Sequence, residues 1–168
     1  MNKRVKYMTH GALIGALYMA LCYLQNLIFP DSASMAIQFR AAEALCVLAL
    51  FTPAAIPGLS VGCLLFNISS AGALPLDFLV GTGATVLATG SMWLLRQVKI
   101  RSFPLPALLM PALFNGALVG WELCHYIGSG FWFNAVCVAI GEIVVLLTLG
   151  SGVYFAIHSR NLEKKIWN

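Results

Sequence analysis

The sequence predicts an all-α integral membrane protein, a six-helix transmembrane bundle that forms one domain over residues 1–168, with both termini cytoplasmic. Its composition predicts that lipid, rather than water, surrounds most of the chain. Of the 168 residues, 60% are hydrophobic and only 10% are charged. A water-soluble domain of this length needs many more surface charges, so most of this chain faces lipid. The distribution of the charges, described below, predicts the topology.

Six apolar segments follow one another, and each predicts a helix. Their bounds are 7–29, 36–51, 56–70, 76–95, 105–127 and 131–158. The first follows three basic residues but is long enough to span a bilayer, so we expect a retained transmembrane helix rather than a signal peptide. The second and third are short for a span of about 20 residues, and Pro53 and Pro57 separate them. They form either two short or tilted helices or one re-entrant hairpin.

Basic residues predict the orientation, because lysine and arginine favour the cytoplasmic side of short loops. They form three groups, at 3–6, 96–101 and 160–165. Six spans place all three groups in the cytoplasm, and a re-entrant hairpin would leave this unchanged. A single crossing by the second and third segments would place 96–101 outside, against the rule. Because the basic groups flank apolar spans, they do not indicate a nucleic-acid partner.

Most acids and several amides fall on the outer side of this predicted bundle. Ionisable side chains in hydrocarbon are costly and normally face a cavity or one another. No ionisable residue continues the path through the inner half, so the pattern predicts a protein that binds an external solute, rather than a channel or a pump. The candidate binding residues are Gln38, Arg40, Glu43, Asn67, Asp77, Glu122 and Glu142.

Several of these residues also have a purely structural interpretation. Arg40 and Glu43 are three residues apart and could form an ion pair on one face of a helix. Asn67 and Asp77 stand at predicted helix ends and could cap them. Glu142 lies deep in the sixth segment, where a carboxyl group needs a donor, and we expect it to contact a ligand.

A stripe of small residues runs along the first segment, where Ala12, Ala16 and Ala20 are spaced by four. This spacing lets another helix approach closely. On spacing alone, a packing seam inside the bundle and a surface for a partner are equally compatible with the stripe. Two glycine pairs of the same spacing predict internal seams: Gly58 with Gly62, and Gly116 with Gly120.

Motifs for catalysis, nucleotide hydrolysis and metal binding are missing from the sequence. It has neither a Gly-x-x-x-x-Gly-Lys-Ser/Thr loop nor a His-Glu-x-x-His pair. Its five cysteines lie singly in apolar runs, without metal-ligand or disulfide-framework spacing. We therefore predict a protein that is not an enzyme and has no cofactor or metal.

A set of short motifs, taken in order, resembles one known family. They are Gln38-Phe39-Arg40-Ala41-Ala42-Glu43, Ile56-Pro57-Gly58, Phe66-Asn67, Gly81-Thr82, Phe114-Asn115-Gly116 and Gly141-Glu142. Their order and spacing are similar to those of the QueT-type queuosine-precursor transporters, which are substrate-binding S-components of energy-coupling factor (ECF) transporters. The likeness covers almost the whole chain and is most specific in the Gln-Phe-Arg-x-x-Glu segment and the Gly-Glu pair.

The resemblance implies an S-component of the bacterial plasma membrane that captures a 7-deazaguanine base from outside for ATP-driven uptake. The candidate ligands are 7-cyano-7-deazaguanine, 7-aminomethyl-7-deazaguanine and queuine. The implied partners are a transmembrane coupling protein, which Ala12, Ala16 and Ala20 would face, and two cytoplasmic ATPases. Two alternatives stay open: an S-component for another small solute, such as a vitamin or nucleobase, and a membrane assembly subunit without transport.

The chemistry of such a base fits the candidate residues. Its adjacent N–H and NH₂ donors suit a carboxylate, here Glu142 or Glu43, in a forked arrangement. Its carbonyl oxygen needs a donor, for which Gln38, Arg40 and Asn67 are the choices. An aminomethyl substituent is cationic and favours a further acid: Asp77 or Glu122. The sequence does not decide among these acids.

Overall fold

The computed structural model describes residues 2–30, 39–70 and 73–160. These residues form helices with no strand among them, apart from one isolated bridge between Ile100 and Phe103. The elements are α1 (Lys3–Ile28), a 3₁₀ helix (Ala41–Leu50), α2 (Ala55–Ser69), α3 (Asp77–Leu95), α4 (Leu105–Leu108), α5 (Met110–Ile127), α6 (Phe131–Val145), a π-helical segment (Leu146–Gly150) and α7 (Ser151–Ser159). The all-helical prediction is confirmed for these residues.

Four helical stretches are long and apolar enough to cross a membrane: Lys3–Ile28, Asp77–Leu95, Leu105–Ile127 and Phe131–Ser159. The second and third predicted segments are shorter apolar helices, Ala41–Leu50 and Ala55–Ser69. The prediction that they are short is therefore confirmed. The number of complete spans and the cytoplasmic position of the termini stay predictions.

The 3₁₀ helix is unusually long, since 3₁₀ runs of more than three or four residues are uncommon. Residues 42–50 of it are all buried, and it packs against α1, α3 and the π-helical segment. A 3₁₀ helix rises about 2.0 Å per residue against about 1.5 Å for an α-helix, so ten residues extend about 20 Å instead of about 15 Å. This geometry lets a short segment extend from the end of the bundle where α1 ends deep into the core.

Glycines bring two pairs of helices into backbone contact. A Cβ atom on Gly58 would lie 2.5 Å from the carbonyl oxygen of Gly11, and one on Gly62 would lie 2.6 Å from that of Gly15. Between α5 and α6, a Cβ on Gly120 would lie 2.7 Å from the Cα atom of Ala135. Real Cβ atoms do not approach this closely, so only glycine fits. The predicted internal seams are confirmed.

The bundle has two chemically different ends. At the basic end, Tyr7 donates a 3.2 Å hydrogen bond to the carbonyl oxygen of Pro53, and the ring of Phe103 packs edge-on against Tyr154. At the polar end, the Tyr23 hydroxyl donates a 2.6 Å hydrogen bond to the Ser69 hydroxyl. The described basic residues near helix ends, at 3–6, 96–101 and 160, lie at the basic end, whereas α1 ends and α3 begins at the polar end.

Candidate ligand-binding site

Arg40 lies just before the 3₁₀ helix, in an extended conformation with φ −107° and ψ 93°. The expectation that Arg40 and Glu43 share one helical face is therefore wrong. The Glu43 carboxylate instead accepts hydrogen bonds from the Tyr18 hydroxyl at 2.6 Å and from the Cys46 thiol at 3.1 Å. No described carboxylate forms a direct ion pair with Arg40 within 4.0 Å. The ion-pair interpretation of Arg40 and Glu43 is thus also wrong.

The backbone on both sides of Arg40 is held by a single side chain of α1. The Gln25 amide nitrogen donates to the carbonyl oxygen of Phe39, and its amide oxygen accepts a 2.7 Å bond from the Ala41 backbone N–H. Because Gln25 hydrogen-bonds to the residue before Arg40 and to the residue after it, it fixes the backbone from which the Arg40 side chain extends. The Arg40 side chain lines a small, partly open cleft together with Tyr18, Cys22, Gln25, Asn26 and Phe66.

Asn67 and Asp77 connect the end of α2 to the start of α3. The Asn67 side-chain nitrogen donates a 2.9 Å hydrogen bond to the backbone carbonyl of Asp77, so the alternative in which Asn67 caps α2 is wrong. Gly81 leaves room for this amide, since a Cβ there would lie 2.8 Å from the Asn67 nitrogen. The Asp77 carboxylate accepts a 2.6 Å bond from the Leu74 N–H, which fits its alternative role at the helix start.

Glu142 and Glu122 are buried carboxyl groups with oxygens that have no hydrogen-bond partner. One Glu142 oxygen accepts a 2.8 Å bond from the Asn115 side chain, whereas the other has no partner within the described chain. Glu122 is 0% exposed, and no N–H or hydroxyl donor of the described residues reaches its oxygens; the Asp77 carboxyl is a close neighbour. Buried polar atoms of this kind are rare in native proteins and call for an explanation, such as a ligand.

Arg40 lies within electrostatic range of the four candidate acids. Its guanidinium interacts at longer range with Glu43 and Asp77, and the same interaction is present with Glu122 and Glu142. These four acids come from the 3₁₀ helix, α3, α5 and α6. We call Arg40 and these four acids the acid cluster. The structure therefore brings together six of the seven residues predicted from the sequence, since Asn67 bonds to Asp77; Gln38 lies outside the described residues.

A model of the QueT transporter family matches residues 8–159. The chain belongs to the QueT transporter family. Comparison with curated proteins and with solved structures gives no match. The family and the four long apolar helices together identify a membrane transport protein rather than an enzyme.

Two contact residues of this QueT family member were not predicted as site residues. Tyr18, which is 1% exposed, donates a hydrogen bond to Glu43. Asn115, which is 3% exposed, donates one to Glu142. Asn115 had a sequence signal, because it lies seven residues before Glu122 and so shares its helical face. For Tyr18 the signal is its position between Ile14 and Cys22 on the buried face of α1.

The alanine stripe lies on a different face of α1 from the glycine seam. Ala12, Ala16 and Ala20 are exposed, whereas Gly11 and Gly15 are buried against α2. An internal seam is therefore formed by the glycines and not by the alanines. The alanines are free to meet another helix, and their role as a partner surface stays a prediction.

Proposed function

We propose that this QueT family member is the substrate-binding S-component of an ECF-type importer and that its acid cluster binds a 7-deazaguanine base captured from outside the cell. The observation that supports this most is that three buried carboxyl oxygens near one arginine, on Glu122 and Glu142, have no hydrogen-bond donor among the residues that the structure describes. Such an arrangement is costly unless a ligand supplies hydrogen-bond donors.

The base edge fits Glu142 best. Asn115 occupies one Glu142 oxygen and fixes the orientation of the carboxyl group, and the other oxygen is left for a donor. Adjacent N–H and NH₂ groups of a guanine-type edge are such donors. The carbonyl oxygen of the base would take a donor from Arg40, because the Asn67 amide already bonds to the Asp77 backbone.

Binding without autonomous transport is the role that the charge distribution favours. All described buried acids lie toward the polar end, and no buried carboxylate or basic side chain is found in the basic half of the described chain. A proton or ion path through the whole bundle would need such groups on both sides. We therefore assign the energy source to partners: a coupling protein and two ATPases.

A thermal-shift titration tests the ligand. The purified protein is expected to be stabilised by 7-aminomethyl-7-deazaguanine or a related 7-deazaguanine, because a ligand that binds only the folded state raises the apparent stability. Glu142→Gln should reduce the shift. Thr89→Val is the matched control, since Thr89 is buried but bonds only within α3. If no 7-deazaguanine shifts the folded protein, the substrate proposal is refuted, and vitamins and ordinary nucleobases become the next ligands to test.

A further inference from the structure

We infer that Gln25 is a positioning residue of the binding site, which directs the Arg40 guanidinium toward an acceptor oxygen of the ligand in the cleft between α1 and α2. This inference rests on the proposed function and adds to the site a residue of α1 that acts through Arg40. It also assigns the cleft to the end of the ligand that carries the acceptor.

The first support is the geometry of the two peptide groups that flank Arg40. Because a peptide group is planar, each residue has only two freely rotating backbone dihedrals. One flanking plane contains the carbonyl oxygen of Phe39, and the other contains the backbone N–H of Ala41. Gln25 donates a hydrogen bond to the first and accepts one of 2.7 Å from the second. Since both planes are held, φ and ψ of Arg40 are fixed at −107° and 93°, and the direction of its Cα–Cβ bond is fixed with them.

The second support is that the 3₁₀ helix does not hold these groups itself. Ala41 is its first residue, and the first N–H groups of a helix have no partner within the helix. The Arg40 side chain makes no capping hydrogen bond. Gln25 is anchored in the last turn of α1, where its own backbone carbonyl oxygen accepts a 2.8 Å bond from the Phe29 N–H. A side chain of α1 therefore sets the conformation at the start of the 3₁₀ helix.

The third support is the cleft into which Arg40 extends. Of the side chains that line the cleft, only Arg40 is charged. A guanidinium carries five N–H donors and no acceptor, and this one donates to no residue that the structure describes. The neighbouring Tyr18 hydroxyl donates to Glu43 instead. The cleft is small and partly open, so it suits one polar group of a ligand, and its charged donors fit a carbonyl oxygen.

A double-mutant cycle on ligand affinity separates this role from that of a cap for the 3₁₀ helix. Gln25→Met keeps the length of the side chain and removes both hydrogen bonds. It should weaken binding of the 7-deazaguanine that stabilises the wild-type protein most by about tenfold or more, as expected when a charged hydrogen bond to the ligand is lost. In an Arg40→Lys background the same substitution should cost less than about threefold, because a flexible lysine does not depend on a fixed direction.

Tyr23→Phe is the matched control. Its hydroxyl forms another bond from the same end of α1, a 2.6 Å bond to the Ser69 hydroxyl, and contacts neither neighbour of Arg40. The variant should keep the wild-type affinity. Denaturant titration gives a second measurement, because a cap stabilises the helix whatever side chain follows it. Gln25→Met should therefore lower the free energy of unfolding equally in the wild-type and Arg40→Lys backgrounds, whereas its effect on affinity should differ between them.

Wild-type affinity in Gln25→Met, or the same fold loss of affinity in both backgrounds, would overturn the inference and leave Gln25 as a cap alone. If Gln25→Met does not fold, Gln25→Glu decides by the same comparison, since it keeps an acceptor for the Ala41 N–H and loses the donor to Phe39. If the folded wild-type protein binds no 7-deazaguanine, the proposed function is refuted, and this inference with it.

Discussion

The glycine seams and the acid cluster share helices α5 and α6 but are built on opposite principles. In the seams, backbone atoms fill the space of every absent side chain, as where a Cβ on Gly58 would meet Gly11. In the acid cluster, carboxylate oxygens of Glu122 and Glu142 are buried with no described partner. The seams therefore stabilise the bundle, whereas the unpartnered oxygens of the cluster reduce its stability, a cost that we attribute to the proposed ligand binding. Substitutions of Gly58 in the seam and of Glu122 in the cluster should therefore change stability in opposite directions.

The largest effect is expected at the α1–α2 seam. Gly58→Ala should lower the free energy of unfolding by about 2–3 kcal/mol, because the added methyl group meets rigid backbone rather than a movable side chain. Gly83→Ala in α3 is the matched control, since no atom outside its own stretch of helix backbone lies within 4 Å of its Cβ position in the described structure. It should be neutral or stabilising by up to about 1 kcal/mol. Equal stabilities of the two variants in a denaturant titration would show that close packing at the α1–α2 seam does not stabilise the bundle.

Glu122→Met should change the free energy of unfolding in the opposite direction. Replacing a buried carboxyl group that lacks a partner by an apolar side chain of similar size removes a desolvation penalty, so the unliganded protein should become more stable by about 1–3 kcal/mol. The same denaturant titration measures this change. A loss of stability would show that Glu122 has a structural partner and would weaken its assignment to the ligand.

Tyr18→Phe allows two acids of the cluster to be compared. Glu43 accepts hydrogen bonds from described residues, whereas Glu122 accepts none from them. The substitution removes the 2.6 Å hydrogen bond to Glu43 and leaves the ring in place. Hydrogen bonds between membrane helices average about 0.6 kcal/mol, with a maximum near 1.7 kcal/mol, so a loss of about 1 kcal/mol is expected. A double-mutant cycle with Glu43→Gln measures the pair directly, and a coupling energy of zero would contradict this assignment.

Ala16→Leu should have the smallest effect on stability, within about 0.5 kcal/mol, because the residue is exposed. It should leave ligand affinity unchanged and impair ATP-dependent uptake by blocking the approach of the coupling protein. Ala117→Leu, at an exposed position of α5, is the control and should transport normally. Equal uptake by the two variants would rule out the stripe as the coupling surface.

Sequence reasoning reached the helical class, the short second and third segments and the glycine seams, because each depends on composition or spacing alone. The position of Arg40 could not be predicted in this way. An apolar run such as 41–50 has no periodicity that separates a 3₁₀ helix from an α-helix, and this difference places Arg40 outside the helix. The partner of Tyr18 is 25 residues away in sequence, and no local pattern signals such a contact.

Isothermal titration of the purified protein with 7-aminomethyl-7-deazaguanine, in parallel with Glu142→Gln, tests the central claim most directly. Saturable binding with one ligand per chain is predicted, together with a loss of at least about tenfold in affinity for the variant, as expected when a charged hydrogen-bond acceptor is removed. Wild-type protein that is folded but produces no binding heat, with no thermal shift from any 7-deazaguanine, would contradict the account.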